Sequence, residues 1–303
     1  MMMRILVIGS TGCLGRTLLD EGRAAGTEML EAWGPDGQFC NVKSPLSVQQ
    51  AFDAALREGP LDAVINTAAL HDLAECNEHP VDAWAVNCQG VFNVARCCAL
   101  QTSPTLMLQV STDYVFGASD SDVYAPFDAT CPTSAAGMYG ASKAAGELAV
   151  EAAAPFTHIV RMASLFGHYP SVMKHGRPNI VEFFRQKLVA GEKIDAWSNT
   201  LTSISYAPWS ARMILNRVSS WVHHTRFVAD QGSYLHQRSH VVCSGYVSHY
   251  DIALQVAREL GVDGRGVVPC YKPHAIRAAL RPGDGASLWH DAIHAYLSRL
   301  QQT

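Results

Sequence analysis

Charge is scarce in this sequence, and neither sign dominates. Only 17% of residues are charged and the formal net charge is −4, so the basic footprint that nucleic acid requires is missing. Long hydrophobic runs are missing as well. No stretch approaches the roughly 20 consecutive apolar residues that span a bilayer. Met1-Met2-Met3-Arg4 leads into an apolar strand without a cleavable apolar segment, so a cytoplasmic protein with no membrane partner is expected. Cys-x-x-Cys is absent too. Of nine cysteines only Cys97 and Cys98 are neighbours, and all read as reduced thiols. His236 and His240, like His290 and His294, are four residues apart but bring no acidic or cysteine ligand at metal-site spacing, so no metal is expected. No internal repeat or low-complexity tract is evident.

What is present is a chain of 303 residues with 48% hydrophobic content, enough for one large domain and a smaller one. Its first 25 residues hold the apolar strand Arg4-Ile5-Leu6-Val7-Ile8, the loop Gly9-Ser10-Thr11-Gly12-Cys13-Leu14-Gly15, and a helical pattern through Leu14, Leu18 and Leu19. In such a strand–loop–helix turn the glycines let the backbone approach a pyrophosphate, which sits at the positive helix N-terminus. A second pattern lies at Tyr139-Gly140-Ala141-Ser142-Lys143. Positions i and i+4 share a helix face, so the Lys143 ammonium can lie near the Tyr139 phenol and lower its pKa toward the range of a general acid or base. Alone, this short pattern reads equally as a solvated helix face. Together the two patterns point to nicotinamide chemistry on a sugar-like alcohol or ketone.

Strand-like runs are expected at 28–33, 62–66, 105–111 and 157–162, with helices near 46–57, 81–101 and 137–152. This alternation implies an α/β, Rossmann-like doubly wound parallel sheet covered on both faces. The dinucleotide-binding domain is expected over 1–167, with a return near 200–243 that adds a strand within 224–243. The segments 168–199 and 244–303, the first with a helix from Ile180 to Ala190 and the second with a last helix from about Ser287, are assigned to a smaller C-terminal substrate-binding lobe.

Five motifs in order resemble the extended short-chain dehydrogenase/reductase family over nearly the whole chain. They are the glycine loop, Asn66-Thr67-Ala68-Ala69 after a fourth strand, Asn87-Cys88-Gln89-Gly90, Ser111-Thr112-Asp113-Tyr114-Val115-Phe116, and Tyr139-x-x-x-Lys143. The Ser-Thr-Asp-Tyr-Val-Phe string and Arg281-Pro282 are most similar to dTDP-4-dehydrorhamnose reductases, enzymes of carbohydrate biosynthesis that reduce the C4 ketone of a nucleotide-linked deoxysugar. The resemblance implies a catalytic triad of Thr112, Tyr139 and Lys143, with Asn87 supporting it through the helix and a proton relay. It implies cofactor contacts from Gly9, Thr11, Gly12, Cys13, Leu14 and Gly15, from Asn41 and Val42 at the adenine, from Ala68 and Ala69, and from Tyr139 and Lys143. The substrate falls to His71, Thr112, Asp113, Asn179 and Arg281. Taken singly, Thr112 reads also as a strand-end hydroxyl and Asn87 as a helix-capping amide.

The chain departs from the reductase pattern in places. Ser164 stands where such reductases carry a tryptophan that packs on the sugar, Leu73-Ala74 replaces a Val-Asp pair, and Ser287-Leu288 follows Arg281-Pro282 at a longer spacing than usual. Tyr114 stands where 4,6-dehydratases carry a glutamate. The acidic residue that accepts the adenosine ribose in NAD-selective proteins is missing at Trp33-Gly34, with Glu31 two residues earlier, so NADP(H) is preferred and NAD(H) left open; Arg16 is the one candidate clamp for a 2′-phosphate. The expected partner is a nucleotide sugar, with a homodimer left open. The branch also resembles the regulatory beta subunit of methionine adenosyltransferase, so cofactor binding without turnover is the rival expectation, and a nucleotide-sugar epimerase the third.

Overall fold

The computed structural model describes residues 2–34, 37–117, 126–169, 178–271 and 279–301. Its first half alternates strictly. The apolar run β1 (Arg4–Ile8) feeds α1 (Cys13–Ala24), then come β2 (Glu28–Glu31), α2 (Pro45–Ala55) and β3 (Ala63–Asn66). Ser44 caps α2 by accepting from the Ser47 N–H, and Pro45 occupies the first turn, where its missing N–H costs nothing. The strand ahead of Asn66–Ala69 is therefore the third in the chain, not the fourth.

The long helix expected over 81–101 is broken. Short helices α3 (Leu73–Glu78) and α4 (Pro80–Trp84) lead into a π-helical turn over Ala85–Gln89, and α5 (Gly90–Ala99) follows. A π turn adds a residue to the helical repeat and rotates the side chains within it. Here it contains Asn87, which is fully buried. Next come β4 (Leu106–Thr112), α6 (Met138–Ala153), β5 (Phe156–Met162), β6 (Leu165–Phe166), α7 (Ile180–Val189), β7 (Ile194–Trp197) and β8 (Ser205–Tyr206). The chain then enters α8 (Ala207–Asp230), β9 (Leu235–His240), α9 (His249–Leu260), β10 (Val267–Cys270) and α10 (Trp289–Leu300). The strand looked for within 224–243 is thus β9 alone, because α8 runs on to Asp230.

Six parallel strands form the main sheet in the order β2-β1-β3-β4-β5-β9. All five residues of β1 are buried, as a strand covered on both faces requires. One face packs Ile5, Val7, Leu18 and Ile65 against Ile214 and Val218 of α8. The other packs Leu6, Ile8 and Val64 against Phe52, Val94 and Val150. A third cluster joins Phe184, Ile194, Ile252, Val267, Ile293 and Tyr296, holding α7, α9 and α10 around the parallel pair β7–β10. The order reverses at β1, between β2 and β3. In open α/β sheets the crevice beyond the strand ends at such a switch point is where ligands bind. A cleft of about 1180 Å³ opens there, lined from Gly9 at one end to Tyr296 at the other.

Candidate active site

The glycine loop forms one end of this cleft, and its glycines have different reasons to be there. Gly9 has φ +79°, and a Cβ on it would lie 2.6 Å from the Ala68 N; one on Gly15 would lie 2.3 Å from the Gly9 carbonyl oxygen. Both are demanded by packing. Gly12 is different. Its Cβ would meet nothing closer than the Gly9 oxygen at 3.5 Å, an ordinary contact, so the fold does not require glycine there. Gly12 caps α1 without a side-chain hydrogen bond, and no acidic residue occupies the first turn. The N-terminus of α1 therefore meets the cleft with neither an N-cap side chain nor an acidic residue over it, which fits a dinucleotide pyrophosphate. Thr11, Cys13 and Leu14 line the cleft beside them.

Asn66 shapes the neighbouring wall. Its Oδ1 accepts from the Ala68 N–H at 3.1 Å and its Nδ2 donates to Gln109 Oε1 at 2.8 Å, which presents Ala68 and Ala69 to the cleft. At the far corner Asn41 and Val42 line the cleft with Phe39. Asn41 Oδ1 already accepts from the Lys43 N–H at 3.1 Å, and Phe39 stacks on Trp33 with centroids 4.0 Å apart. Glu31 is turned to Arg23 at 3.2 Å.

The sheet brings the proposed triad together at the C-terminal end of β4. Thr112 is buried there; its hydroxyl donates to Asp113 Oδ1 at 3.0 Å and accepts from the Tyr114 N–H at 3.3 Å. It does cap the turn, as an isolated strand-end hydroxyl would, yet it also hydrogen-bonds the Tyr139 phenol. Tyr139 and Lys143 share one face of α6, and Lys143 is 4% exposed with Nζ donating to the Val110 carbonyl at 2.7 Å.

The electrostatics correct one expectation. Burial pushes the Tyr139 phenol above its ordinary value, with the Thr112 bond opposing and the Asp113 carboxyl adding to the rise. Lys143 does not bring it down. Burial lowers Lys143 itself to about 8, against the pull of Glu147, and its ammonium is spent on Val110. Desolvation is the largest cause at both groups. The consequence is a phenol that keeps its proton at neutral pH. Asp113, also buried, is raised by desolvation to about 7.

Asn87 is fully occupied. Its Nδ2 donates to the Leu70 carbonyl at 2.8 Å and to Ser142 Oγ at 3.0 Å, while Oδ1 accepts from the Leu70 N–H at 2.9 Å. It pegs the loop after β3 to α6, and its side-chain hydrogens are committed to that task. The substrate residues divide. His71 and Asp113 line the cleft. Asn179 lines it too, as the N-cap of α7, accepting from the Glu182 N–H at 2.9 Å. Arg281 does not line it: its guanidinium is more than half exposed and pairs with Asp128 at 3.0 Å.

Several residues at the site were given no role from the sequence, and Ser164, singled out there only as a missing tryptophan, has an unusual backbone. Ser111, Glu147 and Arg161 form a buried polar cluster behind the triad. The signal was available, since Glu147 follows Lys143 by four residues. Glu182, Gln186 and Tyr296 line the far end of the cleft, joined by a Tyr296 hydroxyl bond to Glu182 at 3.3 Å. Ser164, exposed in the cleft wall, has φ +37°, the one positive φ of a non-glycine among the described residues.

Known proteins resemble this chain in sequence and in fold. The chain is 29% identical over 283 residues to a dTDP-4-dehydrorhamnose reductase of Mycolicibacterium smegmatis, covering 93% of this chain and 77% of that one. The crystal structure of a dTDP-4-dehydrorhamnose reductase from Clostridium acetobutylicum superposes with a TM-score of 0.79 at 24% identity, over 99% of this chain and all of that one. The enzyme of the same name from Bacillus anthracis, solved in complex with NADP, gives 0.78 at 20% identity over the same shares. At these identities the two structures establish a common Rossmann-like fold. The family model described as the RmlD substrate binding domain matches residues 3–299, so the chain belongs to that family.

Proposed function

We propose that this chain is an NADPH-dependent reductase of a nucleotide-linked 4-keto-6-deoxysugar, of the dTDP-4-dehydrorhamnose reductase type. The observation that carries the reading is the convergence of Thr112, Tyr139 and Lys143 in the same cleft as the glycine loop and the N-terminus of α1. When bound, the nicotinamide supplies the hydride that adds to the carbonyl carbon. Tyr139, which holds its proton at neutral pH, gives it to the carbonyl oxygen, so the ketone becomes an alcohol and NADPH becomes NADP⁺. Thr112, turning its hydroxyl hydrogen away from Asp113, donates it to the same oxygen as charge develops there. Lys143 would hold the nicotinamide ribose hydroxyls with the ammonium hydrogens that its bond to the Val110 carbonyl leaves over.

NADP(H) is the expected partner of the adenosine end. The B. anthracis protein was solved with NADP, and here Glu31 is engaged by Arg23, so its carboxylate is not directed at a ribose. His71, Asp113 and Asn179 are the cleft residues assigned to the sugar nucleotide.

The decisive experiment mixes the protein with NADPH and a panel of dTDP-, GDP- and UDP-linked 4-keto sugars while following nicotinamide absorbance. Substrate-dependent loss supports the reductase, fastest with a dTDP sugar. Cofactor binding without turnover across the panel supports the regulatory-subunit reading, and retained NAD⁺ with no net consumption supports an epimerase.

A further inference from the structure

Behind the triad lies an ion pair that takes no part in the steps above. Glu147 is one turn beyond Lys143 on α6, and the side chains of Glu147 and Arg161 are each 2% exposed. The Glu147 carboxylate accepts from Ser111 Oγ at 2.6 Å, Arg161 Nε at 2.9 Å and Arg161 Nη2 at 2.7 Å. Desolvating two charges costs about as much as their attraction returns, so a buried pair is poorly explained by stability alone. Its neighbours offer another explanation. Ser111 precedes Thr112 on β4, and Val110, one residue earlier, receives the Lys143 ammonium. Glu147 therefore links the helix that carries Tyr139 and Lys143 to the strand that carries Thr112.

Arg161 extends the link. Its Nη1 donates to the Ala129 carbonyl at 3.0 Å and its guanidinium lies 4.8 Å over the Phe116 ring. Phe116 stacks on Phe127 at 4.2 Å, and the Phe127 backbone pairs with Ala279 and Arg281.

We propose that Glu147, held by Arg161, is the positioning residue that sets the spacing and charge balance among Thr112, Tyr139 and Lys143. The inference rests on the reductase reading for its consequence in turnover, but not for its effect on cofactor binding. Lys143 is buried without a carboxylate in contact, and Glu147 is the group that works to keep it protonated. Among the described residues, the other charged or titratable groups around the triad and the ion pair are Arg161 on β5, His240 on β9 with Asp128 beyond it, Asp113 and Tyr114 just past β4, and Cys76 on α3; the π turn contributes neutral Asn87.

The test is the pH dependence of NADPH affinity and of kcat/KM in Glu147→Gln and in Glu147→Gln/Arg161→Met, using the full chain. The single variant leaves the Arg161 cation without its anion, so Lys143 loses its proton at lower pH. The alkaline limb of both profiles is expected to fall by about one pH unit, weakening NADPH binding about tenfold at pH 8.5 and less than about twofold at pH 6.5. Should the single variant fail to fold, the double variant decides. It replaces the pair by neutral groups, a change buried ion pairs tolerate, and is expected to show a smaller shift in the same direction. A folded variant of either kind whose profiles superimpose on the parent's overturns the proposal, whatever its melting temperature. Absence of turnover by the parent with every 4-keto sugar refutes the reductase reading alone, because the NADPH titration needs no sugar.

Discussion

The two ends of the cleft are built on different principles. At the end proposed for the dinucleotide the wall is backbone: the α1 N-terminus, the turn at Gly9 and the Ala68–Ala69 segment, where small residues would let a ligand come close. At the end proposed for the substrate the lining is side chains drawn from distant segments, His71 from the loop after β3, Asn179 from the start of α7 and Tyr296 from α10. A backbone site tolerates any side chain that points away and fails when a Cβ intrudes. A side-chain site fails by loss of single groups. Tyr139 stands between the two, and its loss should therefore be felt most. Tyr139→Phe removes the proton donor while sparing the ring that packs on Tyr114 with centroids 5.6 Å apart. We expect kcat to fall by at least about 10²-fold with NADPH affinity within about twofold of the parent. Unchanged kcat in steady-state assays would falsify the role of the phenol.

Gly12→Val separates the backbone end from the rest. Gly12 has φ −74°, and its Cβ would lie 3.5 Å from its nearest neighbour, so the variant should fold with a melting temperature near the parent's. The added side chain would occupy the approach to the α1 N-terminus. NADPH affinity measured by calorimetry should drop by about tenfold or more. The same substitution at Gly15, where a Cβ would press 2.3 Å from the Gly9 oxygen, should instead reduce stability. Equal affinity in a folded Gly12→Val chain would reduce the loop to a turn.

The same contrast explains what was legible in the sequence. The glycine loop is seven consecutive residues whose constraints are local, and the strand, loop and helix stand where the pattern places them. Tyr139 and Lys143 are also local, one turn apart on α6. The π turn at Ala85–Gln89 is not, because nothing in Ala-Val-Asn-Cys-Gln departs from helical periodicity; the turn follows from seating Asn87 against Leu70 and Ser142. The extent of α8 was missed for a similar reason. Its second half is polar and ends in Val228-Ala229-Asp230, so a strand pattern competes with it until packing on the sheet is known. The Tyr139 pKa was read with the wrong sign, since i,i+4 proximity is visible in the sequence and depth of burial is not.

Arg281 sharpens the comparison at the substrate end. Arg-Pro is a local motif, yet the guanidinium rests on Asp128 outside the cleft. Its contact is a half-exposed surface pair, of the kind that contributes little. Arg281→Ala is expected to raise KM for a nucleotide sugar by less than about threefold and to leave NADPH affinity unchanged. A rise beyond tenfold in KM alone would mean that the arginine swings from Asp128 onto the diphosphate when substrate arrives.

A stability effect rather than a kinetic one concerns Asp113, where the end of the cleft built from side chains carries a cost that the backbone end lacks. Burial lifts its carboxyl to about 7, against roughly 3.9 in an unfolded chain. Between those values the folded chain holds a proton that the unfolded chain has released, so this group makes stability fall as pH rises from about 4 through 7. Above 7 the buried carboxylate is ionised and its full cost is present. Asp113→Asn keeps an oxygen that can accept the Thr112 hydroxyl bond, now 3.0 Å long, but removes the titration. Thermal melts at pH 5 and pH 8 should differ less in the variant than in the parent, by roughly 2–3 kcal/mol of stability. If both chains lose the same stability between the two pH values, the carboxyl at position 113 is ionised throughout, and the dry environment drawn around Thr112 is wetter than its burial implies.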